Sequence, residues 1–154
     1  MTTESGRPLA ISGANNQGIA SRPNIRPGAS VKLAHPTISK WFNTDAFVNP
    51  PDYSFGNTPR AIASARGPSQ CNFDMSVFKT TPITHGARLE FRIEAYNALN
   101  HTEFGQPNTT FVAGSPADPN NPTAEGGGNT SSTFGTVTSA LSARIVQLGA
   151  KILF

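Results

Sequence analysis

The stretch Ala143-Arg-Ile-Val-Gln-Leu-Gly-Ala-Lys-Ile-Leu-Phe154 alternates with a period of two. Val146, Leu148, Ala150, Ile152 and Phe154 fall on one face, and Gln147, Gly149 and Lys151 on the other. That period marks a β-strand with one apolar side. Chain ends normally fray into water, so a long strand finishing on an apolar ring calls for a special setting. A transmembrane β-strand supplies one: about 10 residues, apolar towards lipid, polar towards the lumen, with aromatic girdles at both interfaces. Phe154 would then sit in a girdle and Lys151 would face water.

Arg88-Leu-Glu-Phe-Arg-Ile-Glu-Ala95 is made of good helix formers, yet its charges argue for a strand. On a helix, Arg88 would meet Arg92 and Glu90 would meet Glu94, both like-charge pairs one turn apart. On a strand, Arg88, Glu90, Arg92 and Glu94 line one face with alternating sign, and Leu89, Phe91, Ile93 and Ala95 line the other. The charged face suits a hydrated lumen, since Lys or Arg at the lipid midplane costs about 2–4 kcal/mol.

Upstream, Phe73, Met75 and Val77 alternate with Asn72, Asp74, Ser76 and Phe78, which predicts a strand from Cys71 onward. Thr81-Pro-Ile-Thr-His-Gly86 reads as a turn, as does Tyr96-Asn-Ala-Leu-Asn-His101. Short strands follow near Phe104 and at Thr109–Val112. Residues 113–132 read as a long flexible loop, and Thr133–Thr138 leads to the final strand. Residues 1–70 read mostly as loop, punctuated by Arg22-Pro-Asn-Ile-Arg-Pro-Gly28, Asn49-Pro-Pro-Asp52 and Arg66-Gly-Pro68. Trp41, Phe42, Phe47, Tyr53 and Phe55 give that region something to pack, without a clean period. The expected organisation is a loop-rich arm over 1–70 and transmembrane strands with loops over 71–154, together one partial domain. The fold class is all-β: the last few antiparallel strands of an outer-membrane β-barrel, with long irregular loops.

Composition narrows the function. Of 154 residues, 14 are Gly, 13 are Pro and only 14% are charged, against about a quarter in a typical soluble domain. Asn, Ser and Thr supply the polarity, which favours strands and loops over helices. A net charge of +3 without a Lys/Arg cluster makes no nucleic-acid stripe. Cys71 is alone, so no internal disulfide forms, and it reads as a small half-buried residue. No apolar run reaches the roughly 18 residues of a membrane helix. Residues 1–20 lack the apolar core of a signal peptide, so an exported barrel would have to be the end of a longer gene product.

Several segments, taken in order, resemble the C-terminal part of TonB-dependent receptors of the large Oar-like kind. They are Ser5-Gly-Arg-Pro-Leu9, Trp41-Phe-Asn-Thr-Asp-Ala-Phe47, Phe55-Gly-Asn-Thr-Pro-Arg60, Arg66-Gly-Pro68, Asp74-Met-Ser-Val-Phe-Lys79, and Arg88–Tyr96 with Asn97-Ala-Leu-Asn-His101 and Phe104-Gly105. In the turn motif Asn97, Leu99, Asn100 and Phe104 match, while Ala98-Leu99 stands where the family has Leu-Phe. Gln147, Gly149, Ile152 and Phe154 resemble the C-terminal signal read by the outer-membrane assembly machinery. Gly149 is open to a second reading, relief of crowding on a curved strand. The resemblance implies an energy-coupled transporter in the outer membrane of a Gram-negative-type bacterium, whose full-length relatives begin with a carboxypeptidase-regulatory-like domain. Its partners would be outer-membrane lipid, the barrel assembly machinery and, through parts absent here, the TonB complex.

No catalytic constellation is legible. His35, His85 and His101 lack ligand spacing and read as solvated turn histidines. Glu90 and Glu94 read as part of an ion-pair ladder rather than an acid/base pair. Asp118, Asn120, Asn121 and Glu125 lack the spacing of a Ca²⁺ loop. Asn100, Asn108 and Asn129 each open a glycosylation sequon, a permissive motif without meaning in a bacterial barrel. The sequence thus predicts no enzyme, no cofactor and no metal. A second function class stays open: a soluble secreted β-sandwich that binds glycans or adheres, motivated by Trp41, Tyr53 and the Asn/Gly-rich loops.

Overall fold

The computed structural model describes residues 1–16, 19–51, 53–84, 86–114 and 126–154. Along them run β1 (Thr2–Glu4), β2 (Pro8–Leu9), β3 (Ala14–Asn16), β4 (Ile19–Ser21), β5 (Asn24–Ile25), β6 (Phe47–Val48), β7 (Ile62–Arg66), β8 (Gln70–Asn72), β9 (Met75–Thr84), β10 (Ala87–Tyr96) and β11 (Ile145–Leu153). A 3₁₀ turn at Thr44–Ala46 precedes β6. All the strand pairings are antiparallel.

Contacts divide the chain into two units. One holds Met1–Ser5, Ser69–Phe104 and Ala140–Phe154; the other holds Gly6–Pro68 and Gly105–Ser139. This differs from a division at residue 70, because the loop-rich N-terminal region closes on a segment far along the chain rather than standing as an arm.

The first unit is a three-stranded sheet in the order β11–β10–β9, with a separate β1–β8 pair. The sequence expectation of one strand from Cys71 to Phe78 is corrected: β8 stops at Asn72 and β9 starts at Met75. Phe73 and Asp74 leave the ladder to hold a turn, as described below. The turn expected at Thr81–Gly86 is also corrected, because β9 runs on to Thr84. Pro82 is tolerated there by a bulge. Arg88 opposes Pro82 and Ala87 opposes Thr84, which leaves Ile83 as the extra residue. Proline lacks an N–H and sits in sheets at edges and bulges. Gly86, with φ at +93°, turns the chain into β10.

The second unit has a core of its own. Leu9, Ile11, Val31, Phe42, Ala46, Phe47, Ile62 and Ala65 are buried together with Phe111 and Phe134. Phe134 is central to a ring cluster, with centroids 5.1 Å from Phe42, 5.7 Å from Phe47 and 5.7 Å from Phe111. All three pairs are edge-to-face, the arrangement that brings the positive edge of one ring to the negative face of the next. The 3₁₀ turn aims Ala46 and Phe47 inward. Its Asn43 cap accepts the Asp45 N–H at 3.3 Å. Trp41 packs against the core and donates its indole N–H to the Arg66 carbonyl at 2.8 Å.

Several of the family-like segments turn out to be spatial partners inside this unit. Ser5–Leu9 meets Arg66–Pro68: β2 pairs with β7, Gly67 N–H donates to Arg7 O at 2.9 Å, and Arg66 Nη1 donates to Gly6 O at 2.9 Å. A Cβ on Gly6 would lie 1.8 Å from Gly67 O, so glycine is required for this approach. Phe55–Arg60 lies along residues 23–25. Asn57 N–H donates to Asn24 Oδ1 at 2.8 Å, Ile25 N–H donates to Asn57 Oδ1 at 2.7 Å, and Thr58 donates to Pro23 O. The short strand expected at Thr109–Val112 is only an isolated bridge between Ser12 and Thr110.

Truncating Phe111, which has no exposed surface, should destabilise this unit by about 3–5 kcal/mol. Phe55→Ala, at an exposed ring, should cost no more than about 0.5 kcal/mol. Urea midpoints read through Trp41, the sole tryptophan, measure both. Equal shifts would refute the assignment of this core.

Candidate membrane-facing sheet and the turn that anchors it

β10 and β11 pair in register from Arg88↔Leu153 to Tyr96↔Ile145. Residues directly opposite in an antiparallel pair share a face. Leu89 therefore sits beside Ile152, Phe91 beside Ala150, Ile93 beside Leu148 and Ala95 beside Val146. The two apolar faces expected from the sequence fuse into one. β9 extends it with Met75 beside Ala95 and Val77 beside Ile93.

Little covers this face. Phe91 is 51% exposed and Leu148 is 79% exposed, with Met75, Val77, Ile93, Val146 and Ile152 also exposed. A soluble domain buries such a surface, and contiguous exposed apolar patches mark contact with a partner or a membrane.

The opposite face carries Arg88, Glu90, Arg92 and Glu94 on β10. Arg92 Nη2 and Glu94 Oε1 form an ion pair at 2.7 Å. In register, Glu90 lies opposite Lys151 and Glu94 opposite Gln147. Neighbouring charges thus alternate in sign along and across the strands. Two residues of β9 break the rule. Lys79 shares the apolar face with Phe91, and Phe78 shares the charged face with Arg92. Among the described residues of these three strands, Lys79 is the one charge on the apolar side. Its four-carbon stem can lie along apolar surface while the ammonium reaches a polar boundary.

Of the proposed assembly-signal residues, Gln147 faces the charged side, Ile152 the apolar side, and Phe154 lies beyond the ladder, almost fully exposed. Gly149 lies opposite Arg92, and a Cβ added there would have Arg92 Cβ, at 3.9 Å, as its nearest neighbour. Nothing within these three strands crowds a side chain at that position.

The turn after β10 is a small polar network. Asn97 and Asn100 have φ of 49° and 52°, left-handed values that Asn adopts more readily than most residues. The Asn97 side chain is buried. Its Oδ1 accepts the His101 N–H at 3.0 Å, and its Nδ2 donates to His101 O at 2.9 Å and Ser142 O at 3.4 Å. From the other side, Asn97 N–H donates to Asp74 Oδ1 at 2.9 Å and Ala98 N–H to Phe73 O at 2.7 Å. Asn100 Oδ1 accepts the Arg144 N–H at 3.2 Å. The turn thereby joins the start of β9, the end of β10 and the approach to β11. Phe104 completes the motif through an antiparallel bridge to Ala140, while Leu99 points into solvent.

Glu103 and Asp74 carry this network as much as the asparagines do, and sequence reasoning passed over both. Glu103 Oε1 accepts the Cys71 N–H at 2.8 Å and lies 3.1 Å from His101 Nδ1. His101 thus has a side-chain hydrogen-bond partner in Glu103. The available signal was an acid at a short interval from the Asn-rich turn. Cys71 is half-buried. His85, Asp118, Asn120, Asn121 and Glu125 lie outside the described residues. Among the described ones, no group of three or more His, Cys, Asp or Glu side chains gathers at a metal-like site. Asn108 and Asn129 spend their side chains on local hydrogen bonds to the 110–133 region.

An antiparallel sheet with one exposed apolar face and one charged face belongs to the class of membrane β-proteins. The sequence model described as an outer membrane beta barrel domain matches residues 1–147. The chain belongs to that family and is an outer-membrane β-barrel protein. No curated protein and no solved structure matches it.

Asn97→Ala should loosen the turn by about 1–3 kcal/mol, because the hydrogen bonds of its buried side chain to His101 and Ser142 are lost together. Hydrogen exchange at the Ala98, His101 and Arg144 amides should accelerate together. Leu99→Ala should leave all three unchanged. Independent responses of the three amides would contradict a single network.

Proposed function

We propose that this chain forms barrel wall and C-terminal strands of an Oar-like TonB-dependent receptor, an energy-coupled transporter of the outer membrane. The observation that carries the proposal is the exposed apolar face fused across β9, β10 and β11, with an ion-paired face behind it. Lipid covers the first face in this reading and the barrel lumen hydrates the second. The family-like segments support the finer identity. They make the turn network, the β2–β7 approach and the aromatic core, so the resemblance falls on residues with structural work to do.

Three strands leave two open edges. In a bilayer each unpaired backbone group costs several kcal/mol, so β9 and β11 need strand neighbours from a larger barrel. Those neighbours and an N-terminal plug are the parts through which the TonB complex would act. Gln147, Gly149, Ile152 and Phe154 are read by the assembly machinery through strand addition at the β11 edge. The chain's role is transport, without catalysis, cofactor or nucleic-acid partner. The soluble β-sandwich is set aside, because the apolar face that a second sheet would bury is exposed.

The test is fractionation of cells expressing the tagged natural gene, with heat-modifiable gel mobility as readout. Wild-type protein should appear in the outer membrane with a heat shift. Phe91→Arg should lower the heat-shifted form strongly, since a charge at the lipid midplane costs about 2–4 kcal/mol; Glu90→Gln should change it little. Deleting Phe154 should also lower assembly sharply. A soluble monomer without a heat shift, or equal effects of Phe91→Arg and Glu90→Gln, would refute the reading.

A further inference from the structure

The apolar face does not end at the same place on each strand. On β11 it runs through Val146, Leu148, Ala150 and Ile152, and on β10 it reaches Leu89. On β9 it stops at Val77, and the next two positions on that face are Lys79 and Thr81. Lys79 lies opposite Phe91, which lies opposite Ala150. One straight line across the sheet therefore passes through an ammonium-bearing side chain on β9 and a methyl group on β11.

The edge of the apolar face is thus oblique. Between Lys79 and Ile152 it advances by two residues, about 7 Å along the strands, over two strand spacings of about 4.8 Å each. That slope is about 35°, and strands cross a membrane in barrels at a tilt of about 35–45°. All of β9 is exposed. Among the described residues Lys79 has no ion-pair partner. Among the described residues of the three strands, the apolar face carries no Asp or Glu. Only residues 85 and 86 separate β9 from β10, and outer-membrane barrels keep their short turns on the periplasmic side. Lys79 and Thr81 lie on the turn side of Val77. A cation and a hydroxyl, two residues apart on one strand face, therefore meet the edge of the apolar surface with no anion supplied by these strands.

We infer that Lys79 and Thr81 bind a phospholipid phosphate at the periplasmic boundary of the bilayer, with the three strands tilted so that this boundary passes Lys79 and then Ile152. The Lys79 stem lies along apolar surface and its ammonium takes the phosphate charge. The Thr81 hydroxyl donates a second hydrogen bond to the same group. The inference rests on lipid covering this face, and it adds which lipid group is held and at which residues.

The natural gene product, labelled with ¹⁵N-lysine, is reconstituted in bilayers of phosphatidylethanolamine and phosphatidylglycerol, and ¹⁵N–³¹P coupling is read by solid-state NMR. The side-chain signal missing from Lys79→Arg identifies Lys79, and Lys151→Arg identifies Lys151. The Lys79 signal should lose intensity through coupling to phosphorus. Lys151, on the charged face opposite Glu90, should not. In bilayers of a phosphate-free galactolipid the Lys79 loss should vanish. Fluorophores on single cysteines at positions 79, 91 and 150, with Cys71 replaced by Ser, should be quenched by bromines at increasing acyl depth in that order. Heat-modifiable mobility tells the two possible failures apart. A heat-shifted protein whose Lys79 shows no phosphorus coupling, or whose three labels sit at one depth, overturns this inference and leaves the barrel standing. Loss of the heat shift together with lipid quenching at all three positions overturns both.

Discussion

A one-residue slip between β10 and β11 would place Arg88, Glu90, Arg92 and Glu94 on the same face as Val146, Leu148, Ala150 and Ile152. Side chains alternate with a period of two, so register and facing are the same decision. In most hairpins the turn makes it. Here the strands are separated by a long excursion of chain that folds with a different unit, so no tight turn fixes their phase. The Asn97–Asn100 network does so instead. Asn97 holds Ser142 and Asn100 holds the Arg144 amide, so the chain enters β11 already aligned with Tyr96 opposite Ile145. A polar knot outside the sheet thereby sets which side chains meet lipid.

That arrangement gives physical content to the long irregular regions. The described residues of the second unit have little regular secondary structure, yet they surround a core of perpendicular phenylalanine rings. Their backbone groups are satisfied by turns, side-chain amides and short pairings rather than long ladders. In an outer-membrane barrel the longer connections lie on the outer side. A cored body costs more sequence than a flexible loop, but it has less conformational entropy left to lose on assembly.

The sheet was legible because its signal is local. Alternation and the sign order of Arg88, Glu90, Arg92 and Glu94 identify β10 and its two faces without knowledge of any partner. The pairing with β11 was not legible, because short strands were expected near Phe104 and at Thr109–Val112 between the two, and those positions form only isolated bridges. β9 was harder: Pro82 and Gly86 resemble a turn, and only the bulge at Ile83 shows how the strand continues past proline. The core of the second unit was illegible for a different reason. Phe111 and Phe134 stand alone among Thr, Asn and Gly, and nothing periodic announces that they meet Phe42 and Phe47. Asn97 and Asn100 were visible as a motif, but Glu103 and Asp74 complete it through contacts across the chain.

The central claim is that residues 89–95 alternate between lipid and water. Single cysteines at each of these positions, in a chain with Cys71 replaced by Ser, can be labelled with a fluorophore in reconstituted bilayers. Quenching by brominated lipid and by aqueous iodide is then compared position by position. The account predicts lipid quenching at 89, 91, 93 and 95 and iodide quenching at 90, 92 and 94. A flat profile, or lipid quenching at the even positions, would contradict it.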